Sequence, residues 1–215
     1  MTELVAIPSP GVPVFYGEHG NPVVVVVHDM YGRLPGLEPF ATALAGRGFR
    51  VAVPDLFEGV CTVDTSAARE LMGNLDIATA LAEIDDAIVA AQETGVERVG
   101  LVGFSLGGWL ALLHAQAGAA DAVVAYYASL APMDHGVIPC PALLHWAETD
   151  EWDAGEEPGS FVARLKDHGT PVTEHRYLAT RHSFANASLP GKLDAQAAAL
   201  AFARTALFLE QNLAD

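Results

Sequence analysis

Val23-Val24-Val25-Val26-Val27 is an unbroken apolar run that follows Pro22 and ends on His28-Asp29. A strand with one wet face alternates apolar and polar side chains. Five consecutive valines do not, so the run is predicted to be a parallel strand covered on both faces. Shorter apolar runs at Phe49 to Val53, Val96 to Val102, Ala122 to Ser129, Ala142 to Ala147 and Thr173 to Leu178 predict further strands. Leu4 to Ile7 and Val12 to Tyr16 are expected as two short strands around the turn-rich Pro8-Ser9-Pro10-Gly11. Between these runs the apolar spacing changes to three and four. Leu37, Phe40, Leu44 and Ala45 mark one helix, ended by Gly48. From Ala67 to Gln92, Leu71, Leu75, Ala78, Leu81, Ile84 and Ile88 form one helical face, with Gly73-Asn74 as its weak point and Gly95 as its stop. Leu106 to Gln116, Glu157 to His168 and Leu193 to Leu213 are predicted as helices. Strand and helix alternate almost throughout. The fold class is therefore α/β: one domain over residues 1–215, with a mostly parallel sheet, helices on both faces and right-handed crossovers. No insertion is long enough for a cap domain, so a shallow pocket is expected, built from loops at the strand C-terminal ends.

One junction carries chemistry. The run ending at Val102 enters Gly103-Phe104-Ser105-Leu106-Gly107-Gly108, and an apolar helix follows at once. Gly-x-Ser-x-Gly is weak as five letters, but between a strand and a helix it is the pattern of a nucleophile elbow. The serine backbone is strained there, and a Cβ at either flanking glycine would collide with the other side of the turn. A serine that only capped the helix would need neither glycine.

A serine hydroxyl needs a base, and the base needs an orienting acid. In this fold class they follow the nucleophile in the order acid, then histidine, each on a loop after a strand. The chain has eight histidines. His114 and His145 fall inside an apolar helix and strand, His175 lies within a strand, and His168 is in a helix's last turn. His19 and His135 precede strands, and His28 comes before the serine. His182 follows the last strand and is the expected base. The strand Ala142 to Ala147 runs into Glu148-Thr149-Asp150-Glu151-Trp152-Asp153. That loop is the acid's place; Asp150 is the expected member, with Glu148 at the strand end and Asp153 as a cap. The oxyanion hole is assigned by position to two backbone N–H groups, those of Leu106 and Met30. Tyr31, Phe104 and Trp152 are candidate pocket walls, although an aromatic beside a turn also serves as plain packing.

The totals narrow the partners. With 11 Lys+Arg against 27 Asp+Glu, the formal net charge of −16 disfavours nucleic acid and anionic membrane surfaces. Hydrophobic content of 51% with 18% charged residues fits a packed globule rather than a disordered chain. Cys61 and Cys140 lack metal-ligand spacing. Residues 1–10 carry no signal-peptide pattern, and no run of about 18 apolar residues is present. A cytoplasmic protein is the expectation, with no membrane association and no cofactor or metal.

Taken together, His28-Asp29-Met30-Tyr31-Gly32, Pro54-Asp55-Leu56-Phe57, Gly103 to Gly108, the loop with Asp150 and Arg181-His182-Ser183-Phe184 resemble the dienelactone hydrolase family of α/β-hydrolases over nearly the whole chain. The resemblance implies an α/β-hydrolase fold and a small ester or lactone as substrate. Three positions depart from it. Ser105 stands where members that open dienelactones typically have cysteine. Asp29 stands where the family often has glutamate, so it either shapes the pocket or hydrogen-bonds the loop. Asn186 stands where an arginine grips the substrate carboxylate, leaving Arg69 or Arg33 as the other candidate cations. The expectation is a serine esterase acting through an acyl-enzyme. Its rivals are a hydrolase-fold binding protein with an idle triad, and an acyltransferase or perhydrolase using the same residues.

Overall fold

A computed structural model describes residues 5–19, 22–92, 98–151 and 157–213 of the chain. In order, its elements are β1 (Val14–Tyr16), β2 (Val23–Val27), α1 (Leu37–Ala45), β3 (Arg50–Val53), α2 (Thr65–Gly73), α3 (Ile77–Ala91), β4 (Val99–Phe104), α4 (Leu106–Ala115), β5 (Ala122–Tyr126), β6 (Ala142–Thr149), α5 (Pro158–Asp167), β7 (Val172–Arg181) and α6 (Ala195–Leu213). The strands form one seven-stranded sheet in the order β1-β3-β2-β4-β5-β6-β7. Only β1 is antiparallel to its neighbour, pairing Val14 with Val53 and Tyr16 with Val51. The other pairings are parallel.

The valine run explains itself here. All five residues of β2 are fully buried, but they serve two different cores. Val23, Val25 and Val27 pack with Ile84 and Ala87 of α3 and Leu110 and Ala111 of α4. Val24 and Val26 pack on the opposite face with Leu44 of α1 and Ala206, Leu209 and Leu213 of α6. A strand roofed on both sides has no position at which a polar side chain would be solvated, hence no alternation.

The long apolar face from Ala67 to Gln92 breaks where Gly73-Asn74 suggested. The Asp64 carboxylate accepts the Ala67 N–H and starts α2, whereas Asp76 accepts the Thr79 N–H and starts α3. Two N-caps so close together make two helices. The expected first strand is corrected: Leu4 lies outside the described residues, and residues 5–7 form no strand. Val5 is instead tied to the loop before α2: its N–H donates to the Cys61 carbonyl at 2.9 Å and its own carbonyl accepts Cys61 Sγ–H at 3.1 Å. Buried Arg33 donates to the carbonyls of Pro8, Ser9 and Val12. Val96 and Gly95 also lie outside the described residues. Among the described residues, no helix is long and apolar enough to cross a membrane.

Parallel pairing points the C-terminal ends of β2, β4, β6 and β7 at one rim of the sheet. The residues that follow those ends are His28, Ser105, Asp150 and His182.

Candidate active site

Ser105 sits between the last residue of β4 and the first of α4 with φ 51° and ψ −115°, in left-handed territory that costs an ordinary side chain free energy. The packing around the turn holds it there. A Cβ on Gly103 would overlap the carbonyl of Gly107, and one on Gly107 would overlap the carbonyls of Val27 and His28. At Gly108 it would lie 2.8 Å from the Ala128 Cβ. The elbow is therefore wedged against β2 and the loop after β5, and only glycine fits at these points.

The three side chains chosen from sequence come together. Ser105 Oγ lies 2.7 Å from His182 Nε2. His182 Nδ1 lies 2.7 Å and 2.8 Å from the two Asp150 oxygens. A proton on Nδ1, donated to the carboxylate, leaves Nε2 as acceptor for the serine hydroxyl. The other acids of that loop are accounted for differently. Glu148 accepts the Ala179 N–H at 2.7 Å, and its own N–H donates to Thr180 Oγ1. Glu148 thereby braces an irregularity in the β6–β7 pairing between Ala147 and Thr149. Trp152 and Asp153 lie outside the described residues.

Among the described residues, no hydrogen-bond acceptor takes the N–H groups of Met30 and Leu106, the two assigned by position to an oxyanion hole. The loop that carries Met30 is tightly tied. The Asp29 carbonyl accepts His28 Nδ1–H at 2.7 Å and the Gly32 N–H at 3.1 Å. Those bonds fix the plane of the Asp29–Met30 peptide, and so the direction of the Met30 N–H. The second nitrogen of His28, Nε2, accepts the Leu56 N–H at 3.0 Å. His28 is fully buried, and that desolvation pulls its pKa from the ordinary 6.5 to about 4. It stays neutral, as its one donor and one acceptor contact demand. The Asp29 carboxylate accepts the Tyr31 N–H at 2.9 Å and Asn186 Nδ2–H at 2.8 Å. Burial raises its pKa, against the pull of those donors and of His182 and Lys192. Asp29 therefore hydrogen-bonds the loop, the second of the two roles read from sequence. Asn186 is its partner and also accepts the Ser188 N–H.

Around Ser105 lies an open cleft of about 250 Å³. Its walls are Met72 on α2, Leu106 and Trp109 on α4, Tyr127, Ala128 and Ser129 after β5, and Trp146 on β6. None of these except Leu106 was a sequence candidate. Trp109 was the one with a signal, because it stands one helical turn after Ser105 and so on the same side of α4. The proposed walls are corrected. Tyr31 is buried among Leu34, Cys61 and Leu189, with its hydroxyl bonded by Lys192 Nζ. Phe104 points into the core, edge-on to Phe40 and tilted against Tyr126. A strand's last aromatic here packs inward rather than facing substrate. Asp29 and Asn186 border a separate hollow of about 20 Å³ beside Phe104, not the cleft. Among the described residues no group of His, Cys, Asp and Glu side chains could hold a metal ion.

The dienelactone hydrolase family model matches residues 14–213. The chain belongs to the dienelactone hydrolase family. Membership places it among the carboxylic ester hydrolases. It is 29% identical over 203 residues to a carboxymethylenebutenolidase of Pseudomonas putida, covering 87% of this chain and 85% of that one. It is 27% identical over 198 residues to carboxymethylenebutenolidase 1 of Cupriavidus pinatubonensis, covering 86% and 83%. Among solved structures, a dienelactone hydrolase-like promiscuous phosphotriesterase from metagenomic libraries superposes with a TM-score of 0.81 at 19% identity, over 99% of this chain and 98% of that one. Thermogutta terrifontis esterase 2, phosphonylated by cyclosarin, superposes with a TM-score of 0.69 at 16% identity, over 100% and 96%. At those identities the two structures speak for the α/β-hydrolase fold, which this family member shares.

Proposed function

We propose that this family member is a serine hydrolase that cleaves a small ester or lactone through an acyl-enzyme. The observation that carries the reading is the hydrogen-bonded chain from Ser105 Oγ through the His182 imidazole to Asp150, anchored at a strained turn. His182 Nε2 takes the hydroxyl proton as Ser105 Oγ bonds to the substrate carbonyl carbon. The carbonyl electron pair moves onto oxygen, which the N–H groups of Met30 and Leu106 stabilise together with the positive end of the α4 dipole. When the tetrahedral species collapses, the bond to the leaving oxygen breaks and His182 returns the proton to that oxygen. Water repeats the sequence on the acyl-enzyme: its proton goes to Nε2, its oxygen to the acyl carbon, and Ser105 Oγ leaves reprotonated. Asp150 keeps the imidazole in the right tautomer and stabilises its cation. The scheme draws on side chains, backbone N–H groups and water alone. Carboxymethylenebutenolidases, the curated relatives, are named for opening a lactone, which the same steps would do.

The test is hydrolysis of p-nitrophenyl acetate by Ser105→Ala. A loss of about 10³-fold or more with an unchanged circular dichroism spectrum is expected. A fluorophosphonate should add its mass to the parent chain at Ser105 and not to the variant. Full activity in the variant, or no labelling of Ser105, would overturn the reading in favour of an idle triad.

A further inference from the structure

Resting on the serine-hydrolase reading, we propose that the Ser105 cleft selects neutral esters bearing a flat apolar group and discriminates against carboxylated esters and lactones. The apolar walls around Ser105 are Met72, Leu106, Trp109, Ala128 and Trp146, with Tyr127 and Ser129 beside them. The polar edge of Trp146 is engaged elsewhere, since its Nε1–H donates to Glu174 Oε2 on β7 at 3.0 Å. The cleft therefore meets its hydrocarbon surface. A planar apolar group placed there exchanges water for indole and thioether contacts, which favours binding without any charge.

The charges tell the other half. The carboxylate in this cleft is Asp150. Among the described residues, no Lys or Arg lines it. The cations nearest in sequence to the site residues stand outside it. Arg33 is buried beside Asp55 and donates to the carbonyls of Pro8, Ser9, Val12 and Val53. Lys192 donates to Tyr31 Oη. Arg181 and Lys192 border a second hollow of about 430 Å³ that shares only His182 with the cleft, and there Glu151 and Asp194 stand with them. Arg69 is exposed on α2 and outside the lining. Residues 152–156 contain no Lys or Arg in sequence. Asn186 lies outside the lining, and its amide nitrogen donates to Asp29. A substrate carboxylate in the cleft would lose water, gain no cation and face Asp150 across an apolar space, in a chain of net charge −16. The same absence costs a methyl ester nothing.

The experiment compares two aryl acetates that differ by one methylation, methyl para-acetoxybenzoate and para-acetoxybenzoate, as kcat/KM of the full chain at low and high salt. A neutral preference of roughly tenfold or more is expected, narrowing as salt rises. Ser129→Lys, which sets a cation on the cleft wall, is expected to move the ratio toward the acid by roughly tenfold. Equal rates or a preference for the acid would overturn the selectivity while leaving the hydrolase reading intact. Hydrolysis of neither ester, with Ser105 unlabelled by the fluorophosphonate, would overturn both.

Discussion

His28 stands two residues before Met30, the proposed oxyanion donor, and does not line the Ser105 cleft, but its imidazole helps fix how the Met30 N–H is presented. The bond from Nδ1 is made to the Asp29 carbonyl, at the opposite edge of the peptide that carries the Met30 N–H. His28→Phe would keep the packing against Phe57, whose ring centroid lies 5.1 Å away, and remove that bond. A fall in kcat of about tenfold or more with KM nearly unchanged is the expected result in steady-state kinetics, since the donor acts on the transition state. His28→Asn, which can place an amide donor near the position of Nδ1, should recover part of the loss. At this scale the sequence was informative for the meeting of Ser105, His182 and Asp150 and poor for the walls. Ser105, Asp150 and His182 each occupy a slot defined by chain order after a strand, independent of packing. Trp146 and Met72 gave no comparable signal. An apolar residue on a buried strand or an amphipathic helix looks the same whether it faces the core or a cleft, and only tertiary placement separates the two.

The β4–Ser105–α4 unit behaves as a single part. Its glycines let two backbones approach within a distance that no side chain tolerates, and Gly107→Ala would drive a methyl into the carbonyls of Val27 and His28. That overlap is with backbone rather than with a flexible side chain. The variant is expected to lose on the order of 3 kcal/mol or more in urea unfolding, and its activity with it. Among the strands, β7 departs most from its sequence reading. Thr173 to Leu178 was expected, and the strand runs from Val172 to Arg181. An edge strand has one neighbour and a largely solvated surface, so its polar and charged residues extend it without an apolar signature. The extra length ends immediately before His182. The element reading that failed outright, residues 5–7, gave way to a tertiary tie: Val5 bonds through both its N–H and its carbonyl to Cys61.

Over the whole molecule, two fully buried neutral histidines link folding to acidity. Burial lowers the pKa of His28 to about 4 and that of His145 well below its ordinary value. His145 is bonded by Thr205 and Tyr177 inside the core. In the unfolded chain both take up a proton near pH 6.5, and in the folded chain they do not. The unfolded state thus binds more protons as pH falls from about 6.5 toward 4, and stability declines across that window. His28 alone contributes on the order of 3 kcal/mol to the decline. The raised pKa of Asp29 acts the other way and offsets part of it. Urea midpoints should therefore drop between pH 6.5 and 4 and level off above that range, with a shallower drop in His28→Asn. The sheet class, its parallel character and its two-sided cover were legible in the alternation of runs and in β2. The cleft's shape was not, because it arises where α2, α4 and the turn after β5 meet.

The proposed base, His182, hangs from an edge strand of the sheet, whereas the proposed nucleophile, Ser105, follows its central strand. Fraying at that margin would pull the imidazole away while the valine-lined interior stayed closed. Under the proposed mechanism, catalytic competence is tethered to a strand with a single sheet neighbour, and the enzyme can fall silent well before it comes apart.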